Sequence, residues 1–144
     1  MKYTEIDNET LLRAIKEATS PELFIEQYGD ALHTESLTEL LEYLLSQTGM
    51  SKAELARRSA TSEVYLHQVF SGRRSPSRDR LLCFCLGLRC ALTNAQELLR
   101  RCGYAMLYVR DRRDALLLFC LLHQKTVFEA NELLEKFDLQ QLLR

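Results

Sequence analysis

Residues 51–76, SKAELARRSATSEVYLHQVFSGRRSP, limit what this chain can fold into more than any other stretch. Ser51-Lys52-Ala53-Glu54 places a serine and a glutamate where they can satisfy the free amides of a starting helix. That helix is short, roughly Lys52 to Arg58, with Leu55 and Ala56 inward. Ser59-Ala60-Thr61 forms a turn, and Thr61 is placed to cap a further helix from about Ser62 to Ser71. Leu66 and Val69 are its inward positions, and Gly72 ends it. Arg73-Arg74-Ser75-Pro76 comes next as a basic loop, and Ser77 caps the helix after it. Two helices this short are stable only when packed on others.

The rest of the chain supplies those others. Leucine dominates the apolar residues, valine is scarce, and only two prolines and five glycines occur. Such usage favours helices over strands. Asp7–Thr19 reads as a helix with Leu11, Leu12, Ile15 and Ala18 on one face. Ser20-Pro21 starts a second, with Leu23, Phe24 and Tyr28 as its buried stripe. Ser36-Leu37-Thr38-Glu39 is a capping box before Leu37, Leu40, Leu41, Leu44 and Leu45, and Gly49 stops that helix. A helix over about Arg78–Leu88 buries Leu81, Leu82, Cys85 and Leu88. Thr93-Asn94-Ala95-Gln96 is a further capping box, opening a helix that stops at Gly103. Tyr104–Arg113 reads as an irregular crossing segment. Arg112–Gln124 is a helix apolar nearly all round from Ala115 to Leu122 and is expected to be buried. Thr126-Val127-Phe128-Glu129 caps the final helix, about Val127–Phe137.

The expected fold class is therefore all-α. A five-helix bundle over 36–103 carries an acidic helical extension, 1–35, and a C-terminal helical hairpin, 104–144, packed on it. The first ten residues, MKYTEIDNET, lack an apolar core, so no secretory leader is expected. The most apolar run, Ala115–Leu122, is far short of the roughly 20 residues that cross a bilayer. No membrane association is expected.

Charge is unevenly placed. Residues 1–50 carry three basic and ten acidic side chains, net −7. Residues 51–113 carry thirteen basic and five acidic, net +8. The basic block coincides with the paired short helices and their C-terminal continuation, as on a surface that faces a polyanion. The plainer reading is a set of solvated helix faces.

Chemistry-bearing residues are few. The five cysteines, Cys83, Cys85, Cys90, Cys102 and Cys120, are odd in number and lie among helical apolar residues. They read as reduced core thiols of a cytoplasmic protein. The alternative is a metal site, but Cys83 and Cys85 fall on different sides of a helix and no second ligand pair is present. No phosphate loop, nucleophile–base order or paired catalytic acids can be assembled, and His33, His67 and His123 are isolated. No enzymatic activity, cofactor or metal is expected. His123 reads as a helix C-terminal cap, and Asp111 and Asp114 as part of a charge cluster at a helix start. Ser75 and Ser77 sit between arginines, where phosphate would oppose a polyanion; the plainer reading of Ser77 is an N-cap.

Two short helices, a tight turn and a basic exit are the layout of a helix-turn-helix, whose second helix enters the DNA major groove. Residues 37–102 resemble the lambda-repressor-like, Cro/C1-type (XRE) helix-turn-helix family. The resemblance is carried by the leucine-rich first helix, Gly49-Met50-Ser51-Lys52-Ala53-Glu54-Leu55-Ala56, the three-residue turn, Leu66 and Val69, and Gly72-Arg73-Arg74-Ser75-Pro76-Ser77. It implies a cytoplasmic transcription regulator that binds operator DNA as a homodimer. By position it implies base-reading roles for Ser62, Glu63, Val64, His67 and Gln68. Lys52, Arg73, Arg74 and Arg78 would hold DNA phosphate. Tyr65 and Phe70 depart from the family, which has smaller or polar residues there. They imply contact with the added helices or with a protein partner, and so an alternative function as a protein-interaction adaptor.

Overall fold

The computed structural model describes residues 6–32 and 36–143, and every described element is a helix. The chain forms two compact units, Met1–Glu35 and Ser36–Arg144. No helix among the described residues is long and apolar enough to cross a membrane.

The first unit holds α1 (Asn8–Glu17), α2 (Pro21–Tyr28) and a single 3-10 turn, Gly29–Ala31. Asp7 caps α1 by accepting from the Thr10 amide at 2.7 Å. Ser20 caps α2 by accepting from Leu23 N at 3.1 Å, with Pro21 in the first turn. Phe24 stacks on Tyr28, but Leu23 does not join them and is 55% exposed. Leu12 and Ile15 are also exposed. Two short helices lack the surface to enclose all their apolar side chains.

The second unit holds α3 (Leu37–Thr48), α4 (Lys52–Arg58), α5 (Glu63–Phe70), α6 (Arg78–Leu88), α7 (Leu92–Arg101), α8 (Arg112–Leu122) and α9 (Val127–Lys136). Gly49 takes φ +77° at the end of α3, a left-handed turn that glycine adopts without strain. The centre is α6, which packs against α3, α4, α7, α8 and α9. Sequence periodicity gives α6 one buried face, yet every residue from Leu81 to Leu88 is buried. Surrounded on all sides, it has no solvent face for periodicity to mark. Gly87 lets the end of α4 lie against α6, because a Cβ there would sit 2.3 Å from Ser59 Oγ.

Helix starts depart from expectation in part. Thr126 and Glu129 make both halves of a capping box. At α7 the expected Thr93–Gln96 box is absent: the helix begins at Leu92, and Ala91 at the N-cap makes no side-chain bond. Gln96 instead clasps the Leu107 backbone, accepting from its N–H at 2.8 Å and donating to its oxygen at 3.0 Å. That clasp fixes the crossing segment after Gly103. Tyr104 also holds it, donating from its hydroxyl to Pro76 O at 2.6 Å.

Helix α8 is covered on one side only. Phe119 is 45% and Leu122 61% exposed, which corrects the expectation of burial all round. His123 occupies the C-cap of α8, and its ring stacks on Phe119 at 4.2 Å. The tail after α9 is pinned by Asn131, which accepts from Leu142 N at 2.8 Å, and by Arg113, which donates to Gln140 O at 2.8 Å.

Candidate nucleic-acid interface

Helix α5 is built to show one face. Ser62 caps it, accepting from Tyr65 N at 3.0 Å, so its hydroxyl serves the backbone and the cap falls one residue later than expected. Thr61, the expected cap, accepts instead from Arg80 Nη1 at 3.3 Å. Leu66, Val69 and Phe70 are buried. Glu63, Val64 and His67 lie on the opposite side and are exposed, and Gln68 is half-buried beside them. Glu63 also favours the helix by its charge in the first turn.

The loop leaving α5 folds back onto it. Arg73 N and Arg74 N both donate to Gln68 O, at 2.9 and 3.2 Å. Arg74 Nη1 donates to Gln68 Oε1 at 3.4 Å, which draws the amide towards the loop. Arg73 and Arg74 are exposed, as is Ser75 between them and the buried Pro76. Ser77 caps α6, accepting from Arg80 N at 3.2 Å.

Tyr65 ties this surface together. Its ring lies 5.3 Å from the Arg74 guanidinium and 5.1 Å from that of Arg80, and stacks 6.4 Å from Phe84. Each cation over the ring face is attracted by the π-electron density. Burial raises the Tyr65 hydroxyl above its ordinary value, and the two arginines oppose that rise. Sequence reasoning does not single out Arg80, yet it joins the arginines that border α5.

Three sequence-assigned residues are placed elsewhere. Arg78 turns inward: it bridges Asp114 with both Nη atoms at 3.2 Å and donates to Ala105 O at 3.0 Å. Its donors are occupied within the fold, which corrects its assignment to phosphate. Phe70 is 5% exposed and packs edge-on against Phe84 at 6.3 Å, so it is a core residue and not a partner contact. Lys52 pairs with Glu42 at 3.0 Å and lies 5.3 Å from the Phe70 ring. That pairing offsets its charge. His33 lies outside the described residues.

All five cysteines are free thiols. Among the described residues, no three His, Cys, Asp or Glu side chains converge as metal ligands. No protein-family model, curated protein or solved structure matches the chain. The meaning of this surface therefore rests on its own chemistry. It is a helix face with acceptors and donors of both kinds, bordered by guanidinium groups held in place by an aromatic ring.

Proposed function

We propose that α3–α7 form a helix-turn-helix domain of the lambda-repressor-like kind, and that the chain is a sequence-specific DNA-binding regulator of transcription. One observation carries this reading. Helix α5 keeps Leu66, Val69 and Phe70 in the core and leaves Glu63, Val64 and His67 exposed, with Arg73, Arg74 and Arg80 alongside. A helix face of this kind fits a major groove about 12 Å wide.

Glu63 can accept from the cytosine amine and Val64 can touch a thymine methyl, while Gln68 would have to release its bond from Arg74 to pair with adenine. His67 flanks them. Arg73, Arg74 and Arg80 supply the phosphate contacts. One such helix reads too few base pairs for useful specificity, so the DNA-bound form is a homodimer on a two-fold operator.

The test is a fluorescence-anisotropy titration with the DNA upstream of the gene and with a random duplex, each at two salt concentrations. Tighter, salt-sensitive binding to the upstream DNA is expected, and Arg73→Ala with Arg74→Ala should weaken both. Equally weak binding to both duplexes would remove the DNA reading.

A second reading, a protein-interaction adaptor, loses the residues that motivated it, because Phe70 is core and Tyr65 sits among arginines. It keeps one observation: α8 and the region around α9 expose Phe119, Leu122, Phe128 and Phe137. If the protein fails to bind DNA but Phe119→Ser with Phe137→Ser abolishes capture of a protein partner, the adaptor reading stands.

A further inference from the structure

The end of α6 brings two thiols together. Arg89 succeeds the helix in the left-handed conformation, φ 52°. Its amide donates to Leu86 O at 3.1 Å, and the Cys90 amide donates to Cys85 O at 3.4 Å. Two nested bonds of this kind are the cap in which the fourth-last residue of the helix and the second residue beyond its end touch through their side chains. Here those positions are Cys85 and Cys90. The Cys90 side chain lies within hydrogen-bonding reach of the Cys85 thiol.

The two sulfurs are not equivalent. Cys85 is 1% exposed, whereas Cys90 is only half-buried. The shared hydrogen bond holds Cys90 below the ordinary thiol value against the effect of burial. The same bond, with burial added, pushes Cys85 well above it. Of the two, Cys90 is therefore the thiol that ionises more readily, with the Cys85 S–H beside it as donor. The other thiols have no such partner: burial pushes Cys83 up to about 12 and also raises Cys102 and Cys120.

We propose that Cys85 and Cys90 are a redox-active dithiol, oxidised by peroxide to a reversible disulfide across the end of α6. In the first step the Cys90 thiolate attacks one oxygen of hydrogen peroxide. An S–O bond forms, the O–O bond breaks, and hydroxide leaves and takes up a proton. The Cys90 sulfur is oxidised to sulfenic acid and the peroxide is reduced to water. In the second step the Cys85 thiol gives up its proton and its sulfur attacks that of Cys90. The S–S bond forms, the S–O bond breaks, and a second water departs. The backbone bond from Cys90 N to Cys85 O at 3.4 Å already brings the two residues side by side across the end of α6. A dithiol reductant reverses the disulfide by exchange.

The chain itself makes the test clean. Arg89 lies between the two cysteines, so trypsin separates them into Leu81–Arg89 and Cys90–Arg100, while Cys102 falls in a third peptide. The folded full-length protein is treated with hydrogen peroxide at neutral pH, quenched with N-ethylmaleimide and mapped by mass spectrometry. The expected product is about 2 Da lighter, from loss of two hydrogens, carries the two peptides joined, and returns to its starting mass with dithiothreitol. Cys83 shares the first peptide, so Cys83→Ser is run alongside and should keep the link. Cys90→Ser should abolish it. Cys85→Ser, left without a resolving thiol, should gain about 32 Da at Cys90 as sulfinic acid at the same dose. If circular dichroism shows Cys85→Ser unfolded, Cys90→Ser carries the comparison. A Cys90–Cys102 link, sulfinic acid at Cys90 of the unaltered chain, or no mass change at a dose that oxidises free cysteine overturns the proposal.

Discussion

Arg78 and Asp114 lie 36 positions apart in sequence and meet through two parallel hydrogen bonds, each 3.2 Å long. The same guanidinium donates to Ala105 O and Met106 O, and Asp114 also accepts from Tyr108 N at 3.0 Å. One ion pair thereby fixes the crossing segment and docks α8 on the start of α6. Both side chains are largely shielded, 24% and 10% exposed. Asp114→Ala leaves the arginine shielded without its partner, so the expected loss is about 3–5 kcal/mol of stability. Urea denaturation measures it. A loss below about 1 kcal/mol would make the pair an ordinary surface bridge. Arg78→Lys should recover little, because an ammonium lacks the flat two-pronged geometry.

Gly87 and Ser59 make a second long-range contact, steric this time. A Cβ on Gly87 would lie 2.3 Å from Ser59 Oγ, 3.2 Å from Ser59 N and 3.2 Å from a Leu55 methyl. Gly87→Ala forces α4 and α6 apart and should destabilise by about 1–3 kcal/mol, the range for overpacking. Ser59 Oγ is buried with no hydrogen-bond partner. Ser59→Ala should therefore cost little on its own and return part of the Gly87→Ala loss in the double variant. A thermodynamic cycle tests this, and strictly additive effects would show that the hydroxyl is not the obstacle.

Legibility in the sequence depends on how local each signal is. Caps at Ser20, Ser36, Ser51, Ser77 and Thr126, and the left-handed glycine at 49, depend on neighbours within one turn. The all-helical class rests on them. The orientation of Arg78 and Arg80 is not legible. Two residues apart on a helix they face different ways, and only the position of Asp114 decides which points inward. Phe70 misleads for a related reason: the partner that covers it, Phe84, comes from another helix. Gln96 resembles the end of a capping box, but its clasp on Leu107 is a tertiary bond across 11 positions. Of the surface itself, the exposed positions of α5 are readable from helical period. The Tyr65–Arg80 contact is not.

Glu97 gives a pH-dependent contribution that can be isolated. The hydrogen bond from Arg100 and the bond from Arg101 hold its carboxyl below the ordinary value of 4.5, against partial burial. The folded state thus binds this proton less readily than the unfolded chain. The stabilisation is fully present above about pH 4.5 and is lost as pH falls through the lower folded value. The stability difference between parent and Glu97→Gln should be constant near neutrality and shrink towards zero in acid. Thermal melts between about pH 7 and pH 2 would read it. A difference that grows in acid would contradict the assignment.

Tyr65 gives the sharpest test of the surface, because its ring and its hydroxyl can be changed separately. The ring holds Arg74 and Arg80 through two cation–π contacts, each worth about 0.5–1 kcal/mol at exposed sites. On the proposed DNA-binding reading, Tyr65→Phe keeps the ring and should bind DNA within about twofold of the parent. Tyr65→Leu keeps the bulk but releases both arginines and should weaken binding by about 5- to 30-fold, if the whole of those contacts is lost. Its salt dependence should stay unchanged, since no charge has been removed. Arg73→Ala with Arg74→Ala should instead lower the slope of log affinity against log salt by about 2, close to one unit per lost phosphate contact. Each titration is scored on protein shown to be folded by circular dichroism. If Tyr65→Leu binds as tightly as the parent while the double arginine variant fails, the arginines act without the ring's help, and Tyr65 serves only to cover Phe84.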